Sequence, residues 1–130
     1  MTVPILPTYS VAALVAAHTT FRDLIDAGAT VGSIKIRDAA DVLLAQVPLS
    51  DPCGVVTSAT GQLVFGIAGR DEAADTGGTA AYGEFCDSAG LVHLSLPTQA
   101  GTALVSGKLI INSLSIVGGG PVGVISATIG

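Results

Sequence analysis

Beyond Gly28 the chain never runs far before a turn residue stops it. Of the 130 residues 17 are glycine and 6 proline, and from Gly28 onward they fall, with Asp, Asn and Ser, between short apolar runs. Glycine and proline weaken or break a helix interior, whereas runs of this length are sufficient for strands. The periodicity agrees: Ile34 and Ile36 alternate with Lys35 and Arg37, the two-residue repeat of a half-buried strand. Asp38-Ala39-Ala40-Asp41 then reads as a turn, with Val42–Leu49 as the hairpin partner. Ser50–Gly54 breaks the chain before a short pair, Val55–Thr57 and Gln62–Ala68, joined by Ser58–Gly61.

A polar loop, Gly69–Gly78, separates these from Thr79–Asp87 and Leu91–Leu96, which flank a turn at Asp87–Gly90. Pro97–Gly107 reads as loop with a short strand at Ala103–Val105. Lys108–Val117 and Val122–Ile129 close the chain around Gly118-Gly119-Gly120-Pro121. About eight short strands at regular spacing argue for an antiparallel β-sandwich or barrel, and against a parallel α/β fold.

Only the start departs from this pattern. Ser10 is a good N-cap, and Val11, Leu14, Val15, His18, Phe21 and Ile25 follow at helical spacing until Gly28, so a helix is expected over residues 11–27. Residues 1–9 hold Pro4 and Pro7, which exclude helix, with Val3, Ile5, Leu6 and Tyr9 as apolar side chains. They read as an extended arm before a single domain at residues 10–130. Val3, Pro4, Ile5, Leu6, Pro7 and Tyr9 are therefore candidate interface residues. Lys35 and Arg37, on the polar face of their strand, are candidates too.

Composition narrows the class. Only 12% of residues are charged and the net charge is −5, against roughly 25% charged in an ordinary soluble chain. A domain this small leaves much of its surface exposed, so a sparsely charged one is expected to be covered by other chains. Disorder and a basic nucleic-acid binder are excluded. No Lys or Arg precedes Arg22, so Val11–Ala17 lacks the cationic flank of a secretory signal. The uncharged stretch Leu109–Gly130 is punctuated by five glycines and a proline, and reads as strands rather than a membrane span.

Signals for chemistry are weak. Gly118–Gly123 matches the dinucleotide pattern GxGxxG letter by letter, but strand rather than helix follows, so it reads as a turn. His18 and His93 lie on apolar-periodic elements and read as packed histidines without a nucleophile beside them. Asp71, Glu72 and Asp75 lack the spacing of a calcium loop and read as a solvated acidic segment. Cys53 and Cys86 form no zinc or CxxC motif and read as small buried side chains in a reducing cytosol, with pairing the lesser alternative. No catalytic residue, metal or cofactor is expected.

Three stretches carry a resemblance: FRDLIDAG with GSIKIRDAADVLLAQVPLSDP, then GTAAYGEFCDSAGLVHLSL, then INSLSIVGGGPVGVISATI. Together they resemble the head-decoration, or cement, proteins of tailed bacteriophages, small virion structural proteins. Where relatives carry a larger aromatic cluster after GTA, this chain has Tyr82-Gly83-Glu84. The resemblance implies a jelly-roll-like β-sandwich that binds the outer capsid surface and ties neighbouring capsomers together. It implies no enzyme activity. The expected partners are the major capsid protein and further copies of the chain as a dimer or trimer, with no nucleic acid or membrane. The expected location is the virion, assembled in the bacterial host cytoplasm. A tail or neck component of the same virion, or a small ligand-binding β-sandwich, are the alternatives.

Overall fold

The computed structural model describes residues 9–130, so the candidate positions Val3, Pro4, Ile5, Leu6 and Pro7 lie outside the described residues. Helix α1 spans Val11–Asp26. Ser10 caps it as expected, its hydroxyl accepting the Ala13 N–H at 3.1 Å. Gly28, just beyond the end, takes φ +118°, a conformation that L side chains rarely adopt. Along the apolar stripe His18 and Ile25 are buried and Leu14, Val15 and Phe21 half-buried, while Val11 is exposed. The helix packs mainly on β2.

The rest of the described chain is mainly β. The strands are β1 (Ser33–Arg37), β2 (Leu43–Val56), β3 (Leu63–Ile67), β4 (Gly78–Thr79), β5 (Tyr82–Cys86), β6 (Val92–Ala100), β7 (Leu109–Ile111), β8 (Ser115–Ile116) and β9 (Val124–Ile129). Seven of them close a barrel in the order β1-β2-β3-β9-β7-β6-β5, with β5 returning to β1. The short strands β4 and β8 pair separately. The expected jelly-roll-like sandwich is thus not the arrangement that the hydrogen bonding describes.

The physical reason lies in β2. Its first part pairs with β1 through Leu43–Pro48 and its last part with β3 through Gly54–Val56. Between Leu49↔Ile67 and Gly54↔Phe65, Ser50–Cys53 stand against Gly66 alone. Such an irregularity bends a strand, so β2 turns a corner of the wall. The break expected at Ser50–Gly54 is this bend.

Three further expectations are corrected. Thr79–Asp87 is not one strand: Ala80 N–H turns to the Leu114 carbonyl and Ala81 N–H to that of Arg37, splitting β4 from β5. Lys108–Val117 splits likewise into β7 and β8. Ala103–Val105 is not a strand but part of the connection between β6 and β7, which run parallel, through Thr98↔Leu109 and Ala100↔Ile111.

Alternating side chains fill the barrel. Ile34, Ile36, Ala45, Val47, Leu63, Phe65, Phe85, Leu96, Leu109, Ile111, Ala127 and Ile129 belong to one buried cluster. Phe65 and Phe85 meet with ring centroids 4.4 Å apart, tilted by 40°. Gly83 leaves room for the interior, since a Cβ there would lie 2.4 Å from Leu109 Cδ2.

Candidate functional site

On the outer wall the alternation brings Ser33, Lys35 and Arg37 of β1 beside Pro48 and Gln46 of β2, and Cys86, Glu84 and Tyr82 of β5. A groove of about 660 Å³ lies over the β1–β2 part of this wall. Lys35 and Gln46 line it, with Thr30–Ser33 on one side and Asp71, Asp75 and the Asp87–Gly90 turn around it.

Two of its three carboxylates are spent on the chain itself. Asp71 Oδ2 accepts the Gln46 N–H at 2.9 Å and its Oδ1 that of Ala73 at 3.0 Å. Its backbone also bridges Val122 in both directions. Asp87 Oδ1 accepts the N–H groups of Ala89 and Leu91, each at 3.0 Å, which shapes the β5–β6 turn. Its Oδ2 lies 3.0 Å from His93 Nε2, and a carboxylate oxygen accepts, so this nitrogen carries the proton. The His93 bond first, then the Leu91 N–H, hold the Asp87 carboxyl below its ordinary range. Lys35 and Asp75 form no ion pair among the described residues.

Arg37, two residues along from Lys35, is differently occupied. Its Nε donates to Glu84 Oε1, and its Nη1 to the Asp41 carbonyl at 3.0 Å. Tyr82 Oη donates to Asp41 Oδ1 at 2.6 Å, which together with desolvation pushes the phenol up to about 12. Asp41 stands in the left-handed region at φ +66°, which aspartate tolerates better than most side chains. Its neighbour Asp38 caps the same turn through Ala40 and Val42 N–H, both at 2.9 Å. Lys35 and Arg37 thus share a face but not a role: Lys35 faces the groove, and Arg37 knits β1, β5 and the Asp38–Asp41 turn together.

The other candidates lie elsewhere in the described chain. His18 is buried, with Nδ1 2.5 Å from the Gly61 carbonyl, so Nδ1 is the protonated nitrogen. Cys53 and Cys86 are free and buried. Burial, reinforced by Asp26, pushes the Cys53 thiol up to about 12, and burial raises that of Cys86. Neither is poised to form a thiolate nucleophile. Glu72 pairs with Arg70 at 3.1 Å on the surface. Gly118–Pro121 makes the expected turn. Tyr9 is 69% exposed. Among the described residues no group of three or more His, Cys, Asp or Glu could hold a metal ion.

Two pairings escaped the sequence reading. Arg37–Glu84 follows from the β1–β5 pairing, which joins strands 45 or more residues apart and leaves no local signal. Asp87–His93 had one: an Asp opening a turn, with a histidine a few residues into the next strand. No helix among the described residues is long and apolar enough to cross a membrane. No family model, curated protein or solved structure matches this chain.

Proposed function

We propose that the chain is a structural virion protein that decorates the outer surface of a tailed-phage capsid. On this reading it cements neighbouring capsomers, assembles with further copies of itself and performs no catalysis. The carrying observation is the surface. Large apolar side chains, among them Val31, Val42, Val55, Leu91, Leu104, Val117 and Ile125, stand at least two-fifths exposed around a barrel that is already filled inside. Apolar side chains excluded from a full core are available to bury against other subunits, at about 25 cal/mol per Å².

A closed barrel suits the task. Closure gives every barrel strand a neighbour on each side over part of its length, which limits uncontrolled edge-to-edge pairing while its walls stay free to dock. The resemblance to cement proteins agrees, with the barrel in place of the implied jelly-roll-like sandwich. The arm, residues 1–9, and Lys35 are the contacts proposed toward the capsid.

The test is to mix the purified chain with capsids that lack it, and to sediment them. Saturable binding and a higher temperature of shell disruption are expected. Shells that neither bind the chain nor gain heat resistance refute the reading. The groove over Lys35 favours a second reading, a small ligand-binding module. Chemical-shift changes confined to Thr30–Lys35, Asp75 and Ser88–Gly90 on adding a small polar ligand would favour it.

A further inference from the structure

Strands β6 and β7 run parallel, with Thr98 opposite Leu109 and Ala100 opposite Ile111. The Gly101–Gly107 connection therefore leaves β6 at the Ile111 end of β7 and must travel back along β7 to enter it. The barrel interior is filled, so it travels outside. Two bonds fasten it. The Gly101 N–H donates to the Ile111 carbonyl at 3.0 Å, and the Gly107 N–H to the Thr128 carbonyl of β9 at 2.7 Å. The connection is thus a strap across the outer face of β7 and β9.

The side chains of that face are buried. Leu109, Ile111, Ala127 and Ile129 belong to the core cluster, so the alternating Ile110, Ser126 and Thr128 point outward. Ile110 and Thr128 are nonetheless 0% exposed, and Ser126 is half-buried. Ile110 and Ser126 are direct cross-strand partners. The Ser126 and Thr128 hydroxyls are both buried with no hydrogen-bond partner among the described residues. A hydroxyl shut away from water without a partner costs free energy, which is recovered when water reaches it.

The strap itself is lightly held. Thr102, Ala103, Leu104 and Ser106 are exposed. Its first and last residues are glycines at φ +151° and +79°, and a Cβ at either would meet nothing within 4 Å. Glycine moves between positive and negative φ at little cost, so both ends can serve as hinges.

We infer that the strap opens as one unit on these two glycines while the barrel stays folded, uncovering Ile110 and the Ser126 and Thr128 hydroxyls. Opening breaks two backbone bonds and wets Ile110, but it returns both hydroxyls to water. The hydroxyls therefore hold the strap nearer to opening than the β1–β2 ladder. The inference does not depend on the proposed function.

The experiment is amide hydrogen exchange of the full chain, followed by NMR over a series of low urea concentrations. The Gly101 and Gly107 amides are expected to share one protection factor, at least about a hundredfold below that of the β1–β2 ladder and nearly independent of urea. Thr128→Val keeps the shape and removes the hydroxyl, and is expected to raise that shared protection at least about fivefold. Ser126→Ala is expected to raise it too, and decides the matter if Thr128→Val does not fold. Strap amides that exchange only with the ladder, and with its urea dependence, overturn the inference. So do Gly101 and Gly107 amides whose protection differs by more than about tenfold, since each end then frays alone. Protection unchanged in the folded variants overturns the part assigned to the hydroxyls.

Discussion

Gly83 and Asp87 sit four residues apart in the same hairpin and show how differently single residues sustain the barrel. Gly83 is paired with Ile36 on β1 and Leu96 on β6, both buried, so it points inward, where Leu109 and Ile34 occupy the space a side chain would need. Gly83→Ala is expected to destabilise by about 1–3 kcal/mol, the usual cost of overpacking, read from the urea midpoint. Asp87 works through charge. Its carboxyl is held below the ordinary range by His93 and by the turn N–H groups, so its ionised form is favoured by folding. The contribution is complete above the unfolded value of about 3.9 and disappears as pH falls through the lower folded value. Melting curves of wild type and Asp87→Asn are expected to differ most near neutral pH and to converge under strong acid. The turn at Asp87 was legible in the sequence, because Asp-Ser-Ala-Gly is turn chemistry. Its bond to His93 was signalled only by a histidine just inside the next strand, and a short bulge at Phe85/Cys86, which shifts the local register of β5 against β6, obscured which side chains meet.

At the scale of elements, legibility followed the range of the interaction. Ser10, the apolar stripe and Gly28 are local signals, and helix α1 stands where they put it. Hairpins with short turns, β1–β2 and β5–β6, were equally visible. What the sequence could not show was direction and closure: β6 beside β7 in parallel, and β5 returning to β1, are decided by packing across the barrel. The bend in β2 misled for a related reason. Ser50-Asp51-Pro52 has the chemistry of a chain break, yet a barrel wall uses the same residues to turn a corner. The helix is fastened to that wall at both ends of β2's far half. Asp26 Oδ1 accepts the Cys53 N–H at 2.8 Å, and His18 donates to the Gly61 carbonyl in the β2–β3 turn. His18→Leu keeps the packing volume but leaves this buried carbonyl without its donor. A loss of about 1–3 kcal/mol in unfolding free energy is expected, measured by urea denaturation at constant pH.

Charge is unevenly spread over the barrel: the Arg37–Glu84 and Asp87–His93 pairs lie with β1, β5 and β6, whereas β3, β7 and β9 hold no charged side chain. Segregation of this kind has a consequence that neither a uniformly polar nor a uniformly apolar surface would share. At roughly 0.1 M salt the Debye length is about 10 Å, so a contact made by charges weakens steeply as salt is raised, whereas an apolar contact does not. Apolar burial is instead strengthened by salts excluded from protein surface, such as sulfate. If copies join through exposed apolar side chains such as Val55 and Leu104, their association constant is expected to change less than about threefold between roughly 50 and 500 mM sodium chloride. In ammonium sulfate of the same ionic strength it is expected to rise. Contacts through Lys35 or the Asp71–Asp75 loop would weaken with either salt, because both screen charge. Sedimentation velocity across the two salt series separates these cases: an association constant falling in step in both would place the contact on charged side chains instead.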